Sequence, residues 1–240
     1  MSLNIETILC RAGAMDNYSY LLTDKETGIS AIIDPSEATP IIKRCDELGN
    51  KPSYILNTHH HFDHTDANLE IKNYFQAKVI GAETDKRRIP GIDETVRDGE
   101  TWFLGKTKAE IIRVDGHTIG HILWYFSEDK ALFTGDTLFN LCIGGLFEGT
   151  SKDMFASLNK IKNLPDDTLF YPGHEYTIHG IPFALNYSPN NPELQNYIQL
   201  TQQRLNQGLP VGPVSLGFEK QCNPYLKVQS LSEFEHLLGQ

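Results

Sequence analysis

Basic residues are in short supply: 21 Lys and Arg stand against 31 Asp and Glu, a formal net charge of −10 over 240 residues. Nucleic acids and anionic membrane surfaces need clustered Lys and Arg, so neither is expected as a partner. Cysteine is scarce as well. Cys10, Cys45, Cys142 and Cys222 lie far apart with no Cys-x-x-Cys pair, which excludes zinc-finger and redox-motif spacings and leaves reduced, mostly buried thiols. No apolar run approaches the length of a membrane span. The opening MSLNIETILCRAG has no basic segment followed by an apolar one, so no secretory signal is expected and the cytoplasm is the default compartment. Low-complexity segments, short repeats and long Pro/Ser/Gly linkers are missing too. With 40% hydrophobic and 22% charged residues, the chain reads as one globular domain with at most a small appendage.

Short β-rich runs alternate with helical patterns. YSYLLTD and ISAIIDP read as a hairpin. Thr39-Pro40 reads as a helix start, Thr39 as N-cap and Pro40 at the first helical position, with Ile41, Ile42, Cys45 and Leu48 at helical spacing before Gly49-Asn50. A strand SYILN follows, then a helix near 66–76, a strand AKVIGA, and strands around AEIIRV, HILWYF and ALFTGD. Thr150-x-x-Asp153 matches a capping box ahead of Met154, Leu158 and Ile161, and TLFYPG reads as a further strand. From Asn186 the character turns helical, in NPELQNYIQLTQQRLNQG and LSEFEHLLG. The pattern predicts a layered α/β or α+β architecture with a C-terminal helical appendage too short for a core of its own.

What the chain does have is histidine, concentrated. ILNTHHHFDHTDAN places four histidines and an aspartate in the six positions from His59 to His64. In extended backbone, residues two apart project to one side, so His59 and His61 can grip one ion while His60 points away. Asp63 and His64 follow once the chain turns and can face a second position. Imidazole and carboxylate are the ligands of zinc, iron or manganese, and not of calcium or magnesium. Further candidates stand at strand ends: His117 and His121 in GHTIGH, Asp136 in FTGDTLF, His174 in GHEYT. Seven of nine histidines fall in the His59–His64 cluster, GHTIGH and GHEYT, which weighs against a fortuitous polar loop. His121 and His60 read as supporting residues, and His179 and His236 as surface.

Together THHHFDH, GHTIGH, FTGDTLF, LFEGT and GHEYT, with DNYSYLL early and NPYLKV late, resemble the glyoxalase II (hydroxyacylglutathione hydrolase) family of the metallo-β-lactamase superfamily. The resemblance implies an α+β fold: an αββα sandwich, with a metal-binding catalytic domain over residues 1–185 and a helical, substrate-binding extension over 186–240. It implies two divalent metal ions, zinc first, with iron or manganese acceptable. His59, His61 and His117 would hold one, Asp63, His64 and His174 the other, and Asp136 would bridge them. Asp63 and Asp136 would be the catalytic carboxylates, and Tyr176, Lys227 and Phe147 would touch substrate. The implied reaction is hydrolysis of S-(2-hydroxyacyl)glutathione, such as S-D-lactoylglutathione, by water activated on the metals, in a monomeric enzyme. Two dipositive ions and two carboxylates leave the site at about +2, which suits glutathione's carboxylates even on an acidic protein.

Three departures bear on the thiol. Gly145 stands where the family usually has a basic residue, Lys227 where it has Arg, and DHTDAN replaces the usual Gly-Gly after the Asp-His pair. Competing readings are a thioesterase for another thiol, a lactonase, a mononuclear-iron persulfide dioxygenase, or a non-catalytic metal-binding module. A closed structural site would favour four protein ligands per ion and a cysteine-rich shell, unlike this set.

Overall fold

The computed structural model describes residues 2–239. Strands β1 (Leu3–Cys10), β2 (Asn17–Asp24) and β3 (Ser30–Ile33) pair antiparallel in turn, the last two forming the expected hairpin. Helix α1 (Ala38–Glu47) crosses to β4 (Tyr54–Leu56), parallel to β3. A single turn α2 (Phe62–Thr65) and helix α3 (Asn68–Phe75) cross to β5 (Lys78–Ala82), and β6 (Ile92–Val96) completes a six-stranded sheet in sequence order.

The second sheet grows from β7 (Thr101–Leu104), β8 (Thr107–Arg113), β9 (Ile122–Phe126) and β10 (Ala131–Gly135), antiparallel in turn. A small ribbon, β11 (Leu138–Phe139) with β12 (Cys142–Ile143), leads to α4 (Ser151–Lys162) and β13 (Leu169–Pro172), which lies parallel to β10. Then come α5 (Thr177–Tyr187), α6 (Pro192–Asn206), the edge strand β14 (Val214–Ser215), and α7 (Leu216–Cys222), α8 (Pro224–Lys227) and α9 (Leu231–Leu238).

Alternation along the strands explains the layering, because successive side chains point to opposite faces. Leu22, Ile33, Leu56, Trp124 and Phe133 meet between the sheets. Their neighbours Leu21, Ile32 and Ile55 face outward onto Ile41, Cys45 and Ile71 of α1 and α3. On the other side Leu123, Leu132 and Phe170 pack against Met154, Leu158 and Ile161 of α4 and against Leu194 and Phe234 of the C-terminal helices. The result is the αββα sandwich with helical C-terminal elements.

Two helix starts differ from expectation. α1 begins at Ala38, so Thr39 and Pro40 sit inside its first turn, where a missing N–H costs nothing. Glu37 takes the N-cap position but does not cap, because its carboxylate accepts the Arg11 amide instead, at 2.9 Å. The helix expected near 66–76 begins only at Asn68, since α2 absorbs the residues just before it. α5 carries Pro182 in its interior, a residue that argues against helix when read locally. The Thr150–Asp153 capping box forms as expected, and the cysteines are free. No helix among the described residues is long and apolar enough to cross a membrane.

Candidate metal centre

The histidine cluster begins where β4 ends, and the remaining site residues follow β8, β10 and β13. β8 and β10 are each antiparallel to β9, and β13 is parallel to β10, so the carboxyl ends of β8, β10 and β13 share one rim of the second sheet. The β4 end of the first sheet meets that rim: the Ile122 amide donates to Thr58 O at 2.9 Å, and Asn17 forms an isolated bridge with His174.

Two groups with no residue in common converge there, His59/His61/His117 and Asp63/His64/His174, each with its ligand atoms within 4.8 Å of one another, and Asp34 makes a further such group only with His59 and His64, one from each. Asp136 lies between the first two groups. Its Oδ1 is 3.2 Å from His64 Nε2, and its Oδ2 is 3.4 Å from His117 Nε2 and 3.3 Å from His174 Nε2. Imidazole nitrogens face each other, His61 Nδ1 to His117 Nε2 at 3.0 Å and His64 Nε2 to His174 Nε2 at 3.2 Å. A tetrahedron of ligands about 2.0–2.1 Å from a cation has edges of about 3.3 Å, so these spacings match shared coordination. Among the buried polar atoms that make no hydrogen bond are His59 Nε2, in the first group, and Asp136 Oδ1, between the two. The donor set therefore fits a pair of divalent cations.

The two halves differ electrically. Burial pushes His59 and His117 below the usual imidazole range, and burial with the adjacent His117 pushes His61 down to about 4, so all three stand ready as neutral donors. In the other half burial opposes charge but carboxylates win. Asp136, Asp34 and Asp63 hold His64 well above its ordinary value, and Asp136 and Asp63 raise His174 to about 9. Asp63 and Asp136 are held low against their own burial, by the histidines they face. The protons on this pair are what a cation displaces.

Supporting residues fix each ring. Asp34 Oδ2 lies 3.1 Å from His64 Nδ1 and accepts the Thr58 hydroxyl at 2.6 Å, while Thr58 Oγ1 meets His59 Nδ1 at 3.0 Å. Gly145 O faces His117 Nδ1, and Met15 O faces His174 Nδ1, both at 2.8 Å. Asn17 Nδ2 donates to Asp63 Oδ2 at 3.0 Å. His121 accepts the Asp136 amide at 3.1 Å, and His60 turns toward Asp85 and Glu148, so both stay out of the ligand groups as expected. His179 and His236 are exposed. Sequence reasoning missed Asn17 and Asp34. Asp34 ends strand ISAIID as Asp136 ends its own, a signal that was present.

The groups floor a cavity of about 400 Å³ walled by Met15, Phe62, Phe139, Phe147 and Tyr176. Phe147 is 72% exposed and stands edge-on to His61 and His117, and Tyr176 stacks on His174 with centroids 4.6 Å apart. Lys227 is not brought there: its Nζ contacts Ser188 Oγ at 3.2 Å and lies over the Tyr187 ring.

The model of the metallo-β-lactamase superfamily matches residues 12–174, and that of the hydroxyacylglutathione hydrolase C-terminus matches residues 175–237. The chain belongs to the hydroxyacylglutathione hydrolase family. Curated relatives of that name include one from Pelagibacter ubique, 43% identical over 98% of this chain and 97% of its own length, and one from Rhodospirillum rubrum, 43% identical over 93% and 87%. Among solved structures, ETHE1 from Myxococcus xanthus superposes with a TM-score of 0.76 at 23% identity, over 99% of this chain and 90% of its own. BLEG-1 B3 metallo-β-lactamase gives 0.71 at 22%, over 94% and 100%. At such identities these two speak for the fold alone.

Proposed function

We propose that this protein hydrolyses the thioester of S-(2-hydroxyacyl)glutathione, S-D-lactoylglutathione being the first substrate to try, using two divalent cations, zinc ahead of iron or manganese. The supporting observation is the Asp136 carboxylate set between two three-residue ligand groups on the floor of one cavity. His59, His61 and His117 would hold one cation and Asp63, His64 and His174 the other, with Asp136 available to both. Bound there, the cations supply Lewis acidity toward the thioester carbonyl and bring water's pKa close to neutral.

The chain's own residues do the rest. Asp63, fixed by Asn17 Nδ2, orients the attacking water. Phe147 and Phe139 exclude bulk solvent from one wall, and Tyr176 offers its ring and hydroxyl to the thiol portion. A thiolate leaves without a strong general acid. Lys227 meets a glutathione carboxylate by swinging its stem away from Ser188. Residues 186–240 act as the substrate-binding extension to a catalytic unit of residues 1–185, in a monomeric cytoplasmic enzyme.

The test is turnover of S-D-lactoylglutathione by metal-loaded protein beside Asp136→Ala. The expected result is rapid hydrolysis that falls more than about 100-fold in the variant. Protein that carries two metals yet leaves this thioester intact sinks the glutathione reading. No Lys or Arg lines the cavity among the described residues, which favours, as a second reading, a thioester of a thiol without glutathione's carboxylates. Faster turnover of such a thioester in the same assay would select it.

A further inference from the structure

Outside the ligand groups lies a second cluster of charged side chains that the reaction does not use: Asp85, Arg88 and Glu148, with His60 at their edge. Arg88 contacts three acceptors at once. Its Nη1 donates to Glu148 Oε1 at 2.7 Å and Oε2 at 3.0 Å, its Nε to Asp85 Oδ1 at 3.0 Å, and its Nη2 to Ile119 O. Glu148 Oε2 in turn accepts the Ile119 amide at 2.7 Å. Asp85 is fully buried, whereas the Arg88–Glu148 pair is about one-third exposed, at 34% and 30%. None of the three lines the cavity.

What they join are two loops that hold one imidazole. The Phe147 and Glu148 amides donate to His117 O at 3.2 and 3.3 Å, and the Gly149 amide to Gly116 O at 3.0 Å. The same loop turns Gly145 O onto His117 Nδ1 at 2.8 Å. The two backbones come so close that a Cβ at Gly149 would lie 2.6 Å from Gly116 Cα. His117 is thus held at its backbone and at its ring by residues 145–149, and the side chain locking those residues to 116–119 is Glu148, gripped by Arg88 from the connection between β5 and β6.

We propose that Arg88, through Glu148, is a positioning residue that sets the orientation of His117 and so the grip of the His59/His61/His117 group on its cation. The inference rests on the two-cation reading above. Its chemistry demands arginine: a planar guanidinium with five donors reaches a carboxylate pair and a carbonyl together, and an ammonium does not. An exposed pair of this kind contributes little to folding stability, so its worth lies in position.

The experiment is a competitive chelator titration of zinc from the full-length protein, comparing wild type, Arg88→Lys, Arg88→Ala, Glu148→Gln and the control Arg97→Ala, whose exposed partner Glu83 lies in the turn after β5. Thermal unfolding is recorded alongside. Supporting residues of metal ligands change affinity by about 10- to 100-fold, and that loss is expected for one of two zinc equivalents in Arg88→Lys and Glu148→Gln, the other being unchanged. Arg88→Ala leaves buried Asp85 without its partner and can lose stability, so the two milder variants carry the test. Equal weakening of both zinc equivalents, or a lower unfolding temperature with unchanged zinc affinities, overturns the proposal. Wild type that binds fewer than two zinc ions overturns the two-cation reading itself, and the proposal with it.

Discussion

A methyl group at position 173 has nowhere to go. An ideal Cβ there would lie 2.2 Å from Asp136 Oδ1 and 2.7 Å from His64 Cε1, so the glycine is what lets the chain leaving β13 pass the Asp136 carboxylate. Gly173→Ala is expected to push Asp136 off both ligand groups and to cost bound metal and activity together, with far-UV circular dichroism unchanged. Metal analysis of the purified variant checks it; two tightly held ions would show that the carboxylate has slack these distances deny. The residues that sequence reading found at this scale share a property: each proposed ligand belongs to a short motif whose spacing is itself chemical. Asn17 and Asp34 do not. Asn17 meets Asp63 from 46 positions away and Asp34 meets His64 from 30, so their roles exist only once two strands have been brought together.

Elements were legible in proportion to how local their causes are. The capping box at α4 is written in Thr150 and Asp153 and forms between those two residues, the Asp153 amide donating to the Thr150 hydroxyl at 3.3 Å and the Thr150 amide to the Asp153 carboxylate at 2.9 Å. α1 begins ahead of the expected Thr39 N-cap, and the Glu37 carboxylate at its N-cap position is claimed by the distant Arg11 amide. α5 has no such local mark, and Pro182 in its interior argues against helix when read locally. α7 carries a further cost that only packing reveals. Glu219 is fully buried, accepts the Leu141 amide and Asn223 Nδ2 at 2.9 Å each, and has its other oxygen unpartnered. Burial raises its pKa from 4.5 to about 8. Between those values the folded protein binds the proton that the unfolded chain has released, so stability falls as pH rises through that window and levels off above it. Glu219→Gln keeps an acceptor for Leu141 and carries no charge. Its unfolding temperature is therefore expected to decline less between pH 5 and pH 8 than that of wild type. Parallel slopes for the two proteins would mean that Glu219 titrates normally.

At the scale of the molecule, the layers were harder to read from local pattern than the site. β3 and β10 are buried on both faces, so their apolar runs do not alternate and do not say which side faces the other sheet. The resemblance carried that step, and it also suggested a boundary near residue 185 with helices appended beyond. Packing argues that the appendage is structurally indispensable. Leu194, Tyr197, Leu216, Leu226, Phe234 and Leu237 are buried in the same cluster as Leu123, Leu132 and Phe170 on the outer face of the second sheet. Side chains of this kind contribute about 1.5–3 kcal/mol each when fully buried. Six of them together rival the about 5–15 kcal/mol that holds a typical domain folded. A chain ending at residue 185 would also expose the sheet face and the inner side of α4 as one apolar patch, of the kind that drives association. Residues 1–185 are therefore expected to aggregate, or to bind a hydrophobic dye and unfold without cooperativity, even though every proposed metal ligand is retained. Expression of that fragment with dye binding and thermal melts decides the matter. A soluble fragment that melts cooperatively and holds two metals would make the extension a detachable substrate-binding piece; an aggregating one makes its helices, with α4, an integral part of the sandwich's outer layer.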